Sequence, residues 1–248
     1  MDYIQITKEN LDREHICCAI SSSRDVQVSS KKAWLADRFD DGLVFLKSVE
    51  RGKCFIEYIP AENAWIPLDA AGYMYIDCLW VSGSLKGHGY SSDLLSACIT
   101  DSRAKGKTGL CILSSGKKKP FLADPKYLAH KGFLVCDEAD NGISLWYLPF
   151  SADAVKPAFR ECARHPRCSE PGYVLYYTSQ CPFNAKYVPL LEQTAKDRGI
   201  PFTAIHLESR EAAQNAPTPV TTYALFRDGE YLTNEQMNEA KFLKLVSG

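Results

Sequence analysis

The sequence predicts a mixed α/β (α+β) fold in which a larger unit, with a central mixed sheet flanked by helices, precedes a smaller α/β unit. Segments with helical 3–4 apolar spacing alternate along the chain with β-branched and aromatic runs typical of strands. The alternation stops at 151–172, which is rich in proline, and then restarts. We therefore predict domains at 1–150 and 173–248, joined by a linker at 151–172.

The composition is that of an ordinary globular protein. The 248 residues are 46% apolar and carry a net charge of −1, from 29 basic and 30 acidic side chains. This balance excludes a basic nucleic-acid-binding arm, and no apolar run is long enough for a membrane helix. The N-terminal residues lack the apolar core of a signal peptide. We expect a cytoplasmic protein without nucleic-acid or membrane partners, whose ten cysteines are mostly buried free thiols.

The first unit combines helices, hairpins and buried strands. Arg51-Gly52 and Asn141-Gly142 predict hairpin turns, and Gly132 predicts the end of a helix. The expected elements are a strand at 2–6, amphipathic helices at 8–20 and 30–40, strands at 43–50 and 53–60, a loop at 61–71, a buried strand at 72–81, a Gly-rich turn at 83–89, a helix to about Lys105, a buried strand at 108–115, a short helix at 125–131, and strands at 133–137 and 143–150.

The second unit follows the order βαβ, then α, then ββα. Gly199 predicts the end of its first helix, and Asp228-Gly229 predicts a hairpin turn. The expected elements are a strand at 173–179, a helix at 182–198, a strand at 202–207, a short helix at 209–216, a hairpin at 221–233 and a helix at 234–246 capped by Asn234.

The segment KGHGYSSDLL, residues 86–95, lies between a buried strand and a helix. A glycine turn lets the backbone approach phosphate oxygens, and the N–H groups at a helix N-terminus bind anions. The alternative is a turn that needs glycine only for its positive φ.

The stretch LWVSGSLKGHGYSSDLL resembles motif A of the GCN5-related N-acetyltransferases (GNAT family), whose loop pattern is Q/R-x-x-G-x-G/A. Lys86 stands at the Gln/Arg position, Gly89 at the first fixed glycine and Ser91 at the Gly/Ala position, so two of the three depart from the pattern. The element order over 2–150 is also that of the family.

The resemblance implies acetyl transfer from acetyl-CoA to an amine. It implies that the strand ending at Val81 separates from its neighbour and offers free backbone groups to the acetyl and pantetheine parts, while loop N–H groups hold the pyrophosphate. The implied cofactor-binding residues are Leu79, Val81, Lys86, Gly87, His88, Gly89, Tyr90, Ser91 and Ser92.

Two residues are candidates for acid–base catalysis. Asp77 stands where many family members carry an acidic residue, and it could accept the proton of the amine directly or through water. The alternative to a catalytic role is that Asp77 is a carboxylate with a structural role. Members of the family often carry a tyrosine in this helix that acts as the general acid. Leu128 occupies that position here, and Tyr127 lies one residue before it. A packed aromatic is the alternative for Tyr127.

The sequence Cys181-Pro182-Phe183-Asn184 opens a helix after a strand, a position that lowers the pKa of a thiol. Residues 173–246 resemble a shortened thioredoxin-like domain of the YoaP type. The resemblance implies a cis proline at Pro219, with Pro217 as the rival. Asn184 replaces the second cysteine of the redox motif, so only a monothiol role is open to Cys181.

The sequence thus favours an acetyl-CoA-dependent N-acetyltransferase acting on a primary amine, with a small molecule as the expected acceptor. A thiol-based sensor or oxidoreductase using Cys181 and a non-catalytic acyl-CoA-binding protein are the alternatives. A homodimer is left open. No metal is expected, although Cys162, His165 and Cys168 form a C-x2-H-x2-C pattern, because zinc sites usually show paired knuckles.

Overall fold

The computed structural model describes residues 1–19 and 24–247. Thirteen strands and seven α-helices are seen in these ranges, in the predicted alternation. In chain order they are β1 (Tyr3–Ile6), α1 (Val26–Phe39), β2 (Val44–Ser48), β3 (Cys54–Pro60), β4 (Leu68–Asp69), β5 (Tyr73–Val81), α2 (Tyr90–Ala104), β6 (Gly109–Ser115), α3 (Pro125–His130), β7 (Leu134–Glu138), β8 (Ile143–Pro149), β9 (Ala158–Phe159), α4 (Glu161–Arg164), β10 (Tyr173–Tyr177), α5 (Pro182–Arg198), β11 (Phe202–His206), α6 (Arg210–Gln214), β12 (Tyr223–Arg227), β13 (Glu230–Thr233) and α7 (Glu239–Val246).

The larger unit is built on a seven-stranded sheet in the order β1-β2-β3-β5-β6-β8-β7. Neighbouring strands are antiparallel except β5 and β6, which run parallel because α2 connects them. The two faces of the sheet bury different helices. Trp34 and Leu35 of α1 pack on one face, and Leu94 and Leu95 of α2 pack on the other. The predicted mixed sheet flanked by helices is confirmed.

The smaller unit has a four-stranded sheet in the order β11-β10-β12-β13, with β10 parallel to β11 and antiparallel to β12. Its core forms where α5 and α7 pack on the sheet, through side chains such as Leu191 and Phe242. Gly199 ends α5 in the left-handed conformation, at φ +63°, and Asp228 and Gly229 turn the hairpin at φ +49° and +88°. The predicted helix end at Gly199 and the predicted turn at Asp228-Gly229 are both confirmed.

One predicted helix is wrong, and another begins later than predicted. Residues 8–14 form only turns, with single bonds such as Leu11 N–H to Thr7 O at 3.0 Å, and no helix continues to residue 19. Residue 20 of that prediction lies outside the described ranges. The last helix begins after Asn238, whose side chain accepts the Lys241 N–H at 3.0 Å. Asn234, the predicted cap, instead donates to the Pro120 carbonyl oxygen at 2.9 Å.

The connection between the two units has secondary structure of its own. The β9 strand pairs antiparallel with β4, where Leu68 lies opposite Phe159, and α4 follows it. The prediction of a cis proline at Pro219 or Pro217 is wrong, because the peptide bonds before both are trans. Among the described residues, no helix is long and apolar enough to cross a membrane.

A buried ion pair joins the two units. The Lys31 ammonium on α1 lies 2.8 and 2.6 Å from the two carboxylate oxygens of Glu57 on β3, and it donates to the backbone oxygen of Gln180 at 2.8 Å. Both charged side chains are 2% exposed. Thr221 adds a second link, because its hydroxyl donates to the Trp65 carbonyl oxygen at 2.5 Å. Charged groups so deeply buried are tolerated only when they are paired and hydrogen-bonded.

We expect the Lys31→Met substitution to lower the free energy of unfolding by about 3–5 kcal/mol, because the Glu57 carboxyl group would be left in a buried site without its cationic partner. The double variant with Glu57→Leu should recover most of this loss. Urea unfolding at pH 7 measures both. As a control, Lys8→Met removes an ion pair to Asp40 whose side chains are 49% and 77% exposed, and should cost less than about 1 kcal/mol. A double variant no more stable than Lys31→Met alone would contradict the prediction.

Candidate functional site

The central parallel strands separate halfway along their length. β5 and β6 pair from Tyr73 opposite Gly109 to Ile76 opposite Ile112, and the pairing ends there. Beyond this point β5 pairs only with β3, on its other side. The register between β3 and β5 shifts at Asp77, which is the extra residue of a β-bulge. The bulge thus marks the point at which a gap opens between β5 and β6.

The backbone of β5 offers polar groups to this gap. The Ser82 N–H bonds the Lys53 carbonyl oxygen of the β3 side at 2.9 Å. Because backbone groups alternate in direction along an antiparallel strand, those of Trp80 also face β3, whereas those of Leu79 and Val81 face the gap. A strand edge of this kind can pair with the amide groups of an extended ligand. Binding at Leu79 and Val81 stays a prediction.

The glycine loop leads into α2 at the end of the gap. Gly87 and Gly89 have φ of +84° and +82°, which side chains rarely adopt, and the space a Cβ would fill beside each is open. Gly89 caps α2 without a side chain. Anion-binding N–H groups are therefore available at this helix start, although the Ser92 N–H, expected among them, bonds the Gly89 carbonyl oxygen at 2.8 Å.

The side chains of the loop lie on the surface. Lys86 and His88 are exposed, and the His88 ring stacks on the Tyr90 ring with centroids 5.4 Å apart. An exposed lysine beside a helix N-terminus adds positive charge where the resemblance puts a pyrophosphate. His88 contacts no group that would give it an acid–base role.

Asp77 lies on the opposite side of the sheet from α2, in a buried and charged environment. Burial and the nearby Glu57 carboxylate raise the pKa of Asp77 well above its usual range, against the opposing effect of Lys31 and of a hydrogen bond from the Gln180 side chain. Burial is the largest single effect on the pKa of Lys31 and lowers it, but Glu57, Cys18 and Asp77 together raise the pKa above its usual value, so the ammonium stays charged. Asp77 is therefore a carboxyl group that can exchange a proton nearer to neutral pH than an exposed aspartate can.

Tyr127 is separated from Asp77. Its hydroxyl donates to the Ser91 carbonyl oxygen at 2.9 Å, in the first turn of α2. Burial raises the pKa of Tyr127, so the phenol keeps its proton at neutral pH. Leu128 is 1% exposed and belongs to the core, which explains why the tyrosine sits one residue earlier. The structure does not bring the two catalytic candidates together on one side of the sheet.

Cys181 begins α5, as predicted, but its environment reverses the expected pKa shift. Burial raises the pKa of the thiol and outweighs the Phe183 N–H, the Gln236 side chain and the Lys31 charge, which lower it. The prediction of a depressed pKa is wrong, because a helix N-terminus stabilises a thiolate less than loss of water destabilises it here.

Asn184 has a structural role at the position of the missing second cysteine. Its side-chain amide donates to the carbonyl oxygens of Thr178 at 2.9 Å and Thr222 at 2.6 Å. Its oxygen accepts from the Gln236 side chain at 3.0 Å. The residue is 2% exposed and ties three segments of the smaller unit together. An asparagine can make these three bonds at once, and a thiol cannot.

A cavity of about 450 Å³ lies between the two units and receives the Asp77 side chain. β5 beyond the bulge forms one wall, and the start of α5 with residues 219–223 forms the facing wall. Three thiols also line it, those of Cys18, Cys78 and Cys181. The volume is within the usual range of small-molecule sites.

Sequence reasoning missed Lys31, Glu57 and Gln180. Lys31 lies three and four residues before Trp34 and Leu35, on the apolar side of α1, and Glu57 interrupts the apolar run of β3. A charged residue within each of these two apolar patterns was a usable signal of a buried ion pair. Nothing in the sequence indicated that Gln180 would reach them from the other unit.

Cys162, His165 and Cys168 do not converge. Cys162 lies 3.9 Å from the Gln214 carbonyl oxygen, and His165 bonds Asp140 at 2.6 Å. Cys168 lies beside Glu170. Within residues 1–19 and 24–247, no group of three or more such side chains could hold a metal ion.

Comparisons with known proteins identify the family of the chain. Residues 201–244 match the family model described as YoaP-like. The chain is 42% identical over 248 residues, all of this chain and 99% of the other, to an uncharacterised N-acetyltransferase, YoaP, from Bacillus subtilis (strain 168). Identity of this size over the whole length places the chain among the N-acetyltransferases. Within that class, it belongs to the YoaP family.

Solved structures match 60% of the chain at low identity. One is a ribosomal-protein-alanine N-acetyltransferase from Brucella melitensis, 15% identical, with 60% of this chain and 100% of that chain covered and a TM-score of 0.43. Another is the PaiA N-acetyltransferase from Thermoplasma acidophilum in complex with coenzyme A, 14% identical, with coverages of 60% and 100% and a TM-score of 0.42.

We expect iodoacetamide at pH 7.5 to label Cys162 before Cys181, because Cys162 is exposed whereas Cys181 is only partly exposed, in the wall of the cavity. Limiting reagent on the native protein, followed by peptide mass analysis, measures the order. Guanidinium-unfolded protein is the control, in which the two should label at similar rates. Faster labelling of Cys181 in the native state would restore a reactive-thiol role for it.

Proposed function

We propose that this protein transfers an acetyl group from acetyl-CoA to the primary amine of a small molecule. One observation carries the proposal: the gap beyond Ile76 has a glycine-capped helix at one end and the Asp77 carboxyl group, with its raised pKa, where the gap begins. Membership of a family of N-acetyltransferases supports it. Ten free thiols fit a reducing compartment, so we place the reaction in the cytoplasm.

The gap and the loop fit the parts of acetyl-CoA. The N–H groups near Gly87 and Gly89 suit the pyrophosphate, because glycine leaves the space above the backbone open. The backbone groups of Leu79 and Val81 suit the pantetheine amides and the acetyl oxygen. Acetyl-CoA supplies an activated acyl carbon and a thiolate leaving group.

Asp77 is the proposed general base. An alkylamine is largely protonated at neutral pH and must lose a proton before its nitrogen can attack. Asp77 takes this proton, directly or through a water molecule, and its raised pKa brings it closer to the pKa of the amine. A β5 N–H facing the gap stabilises the negative charge that develops on the acetyl oxygen.

Tyr127 is the proposed acid that protonates the leaving thiolate. Its phenol keeps its proton at neutral pH, and Tyr127 lies on the α2 side of the sheet, opposite the side that carries Asp77. The acid acts on the sulfur of the leaving thiolate, whereas the base acts on the nitrogen of the attacking amine. Because these are different atoms, the separation of Tyr127 from Asp77, which lies on the cavity side, suits the two roles.

The thiol alternative has less support. Burial keeps Cys181 mainly protonated at neutral pH, and Asn184, with three hydrogen bonds, stands where a resolving thiol would be needed. The non-catalytic alternative shares the acetyl-CoA site and differs only in turnover.

We expect acetyl-CoA to stabilise the protein against heat, by about 2.7 kcal/mol at 100 times its dissociation constant. Gly89→Glu should abolish this shift, because a carboxylate would face the pyrophosphate. Gly106→Glu is the matched control: Gly106 also has positive φ, +69°, and open space beside it, but lies at the other end of α2. Equal ligand-induced shifts in the two variants would remove the phosphate-loop assignment.

We expect Asp77→Asn to lower kcat by about 10²–10⁴-fold, with little change in the KM for acetyl-CoA. Steady-state rates of acetylated-amine formation from pH 6 to 9 test this. A fall of less than about 3-fold with an unchanged pH profile would make Asp77 a structural acid.

The same variant should gain stability. A raised folded-state pKa favours the protonated carboxyl, so wild-type stability falls as the pH rises through that pKa. Asparagine does not titrate. The Tm of Asp77→Asn relative to wild type should therefore increase between pH 5 and pH 9, and a constant difference would contradict the assigned pKa direction.

A further inference from the structure

We propose that the smaller unit completes the acceptor site, and that the acceptor is a compact primary amine with an apolar or aromatic body and no carboxylate. This inference rests on the proposed function and adds the chemical class of the acceptor. It comes from the cavity between the units, whose walls, charges and boundaries each restrict what can bind.

The cavity is continuous with the reaction site. Its lining includes Asp77 and Leu79, so it begins where β5 leaves β6. Gln180, Cys181 and Phe183 of the smaller unit line the same cavity, and the Gln180 side chain hydrogen-bonds Asp77. An amine held here has its nitrogen beside the proposed base, and its body against the smaller unit.

The charges of the cavity select the amine and reject a carboxylate. Among the described residues, Lys31 is the only basic side chain in the lining, against the two carboxyl groups of Glu57 and Asp77. Lys31 already donates to both Glu57 oxygens and to the Gln180 carbonyl oxygen. A substrate carboxylate would therefore be buried without a cation to pair with, which is strongly unfavourable.

The walls suit an apolar body. Phe55, Trp65, Trp80, Leu113, Phe183 and Val220 all line the cavity. Aromatic faces also attract an ammonium group, and Trp80 already has the Lys53 ammonium 4.2 Å from its ring centroid. The same walls offer a polypeptide backbone few partners for its N–H and C=O groups.

Contacts between the units close the cavity to a peptide chain. In the described part of the chain, four hydrogen bonds cross from one unit to the other through residues that line it: Lys31 to Gln180, the Gln180 side chain to Asp77, Thr221 to Trp65, and Asn234 to Pro120. An extended peptide needs an open groove. Phe121 and Phe183 line both the cavity and a smaller adjoining depression of about 160 Å³.

The test uses the full-length protein and amines that differ only by a carboxylate. The pairs are phenethylamine with phenylalanine, and 3-methylbutylamine with leucine. An octapeptide with N-terminal phenylalanine represents protein substrates. Acetylated products are measured by chromatography, since the thiols of the protein would react with thiol reagents. We expect kcat/KM for each amine to exceed that for its amino acid and for the peptide by about 10²-fold or more.

A variant on the smaller unit tests its part in the site. Phe183→Ala should raise the KM for phenethylamine at least 10-fold and leave the KM for acetyl-CoA unchanged. Leu190→Ala is the matched control, because Leu190 is 47% exposed on the same helix and does not line the cavity. Equal KM values for phenethylamine in the two variants would overturn the role of the smaller unit.

Binding separates failure of this inference from failure of the proposed function. Calorimetry of phenethylamine and phenylalanine, without acetyl-CoA, needs no turnover. If phenethylamine binds and phenylalanine does not, the inference is supported even when no amine is acetylated. The lack of acetylation would then refute the proposed function. The inference would be overturned if phenylalanine or the peptide were acetylated or bound to within 10-fold of phenethylamine. That result would leave acetyl transfer intact.

Discussion

The buried ammonium of Lys31 is the constraint on which the rest of the site depends. It is held by the Glu57 carboxylate and by the backbone oxygen of Gln180, so one charge fixes a helix, the central sheet and the smaller unit relative to one another. A buried ion pair adds little net stability when compared with apolar residues of the same size, but it is costly to leave incomplete. The two units are thereby held in one arrangement.

That arrangement creates the environment of Asp77. The bulge in β5 adds the residue to the strand at the point where β6 separates from it. Glu57 and burial disfavour its ionisation, while the Lys31 charge and the Gln180 side chain limit the effect. Gln180 thus contacts both Lys31, through its backbone, and Asp77, through its side chain. The smaller unit takes part in setting the protonation of a residue on the larger one.

The smaller unit keeps the strand–helix turn of a redox motif and uses it differently. Cys181 faces the interdomain cavity and stays mainly protonated, and Asn184 holds the turn together by three hydrogen bonds. A turn that would otherwise present a reactive thiol here supplies one wall of a largely apolar cavity. Substrate shape and charge, rather than thiol chemistry, are what this wall can control.

The sequence by itself determined the mixed α/β fold and most of its elements, because apolar periodicity and turn residues such as Gly199 and Asp228-Gly229 act locally. It also determined the glycine loop before α2 and singled out Asp77. Only the tertiary structure decided the pKa directions of Asp77 and Cys181 and the link through Lys31. Burial and the approach of charges from other elements control these properties, and neither is encoded in local spacing.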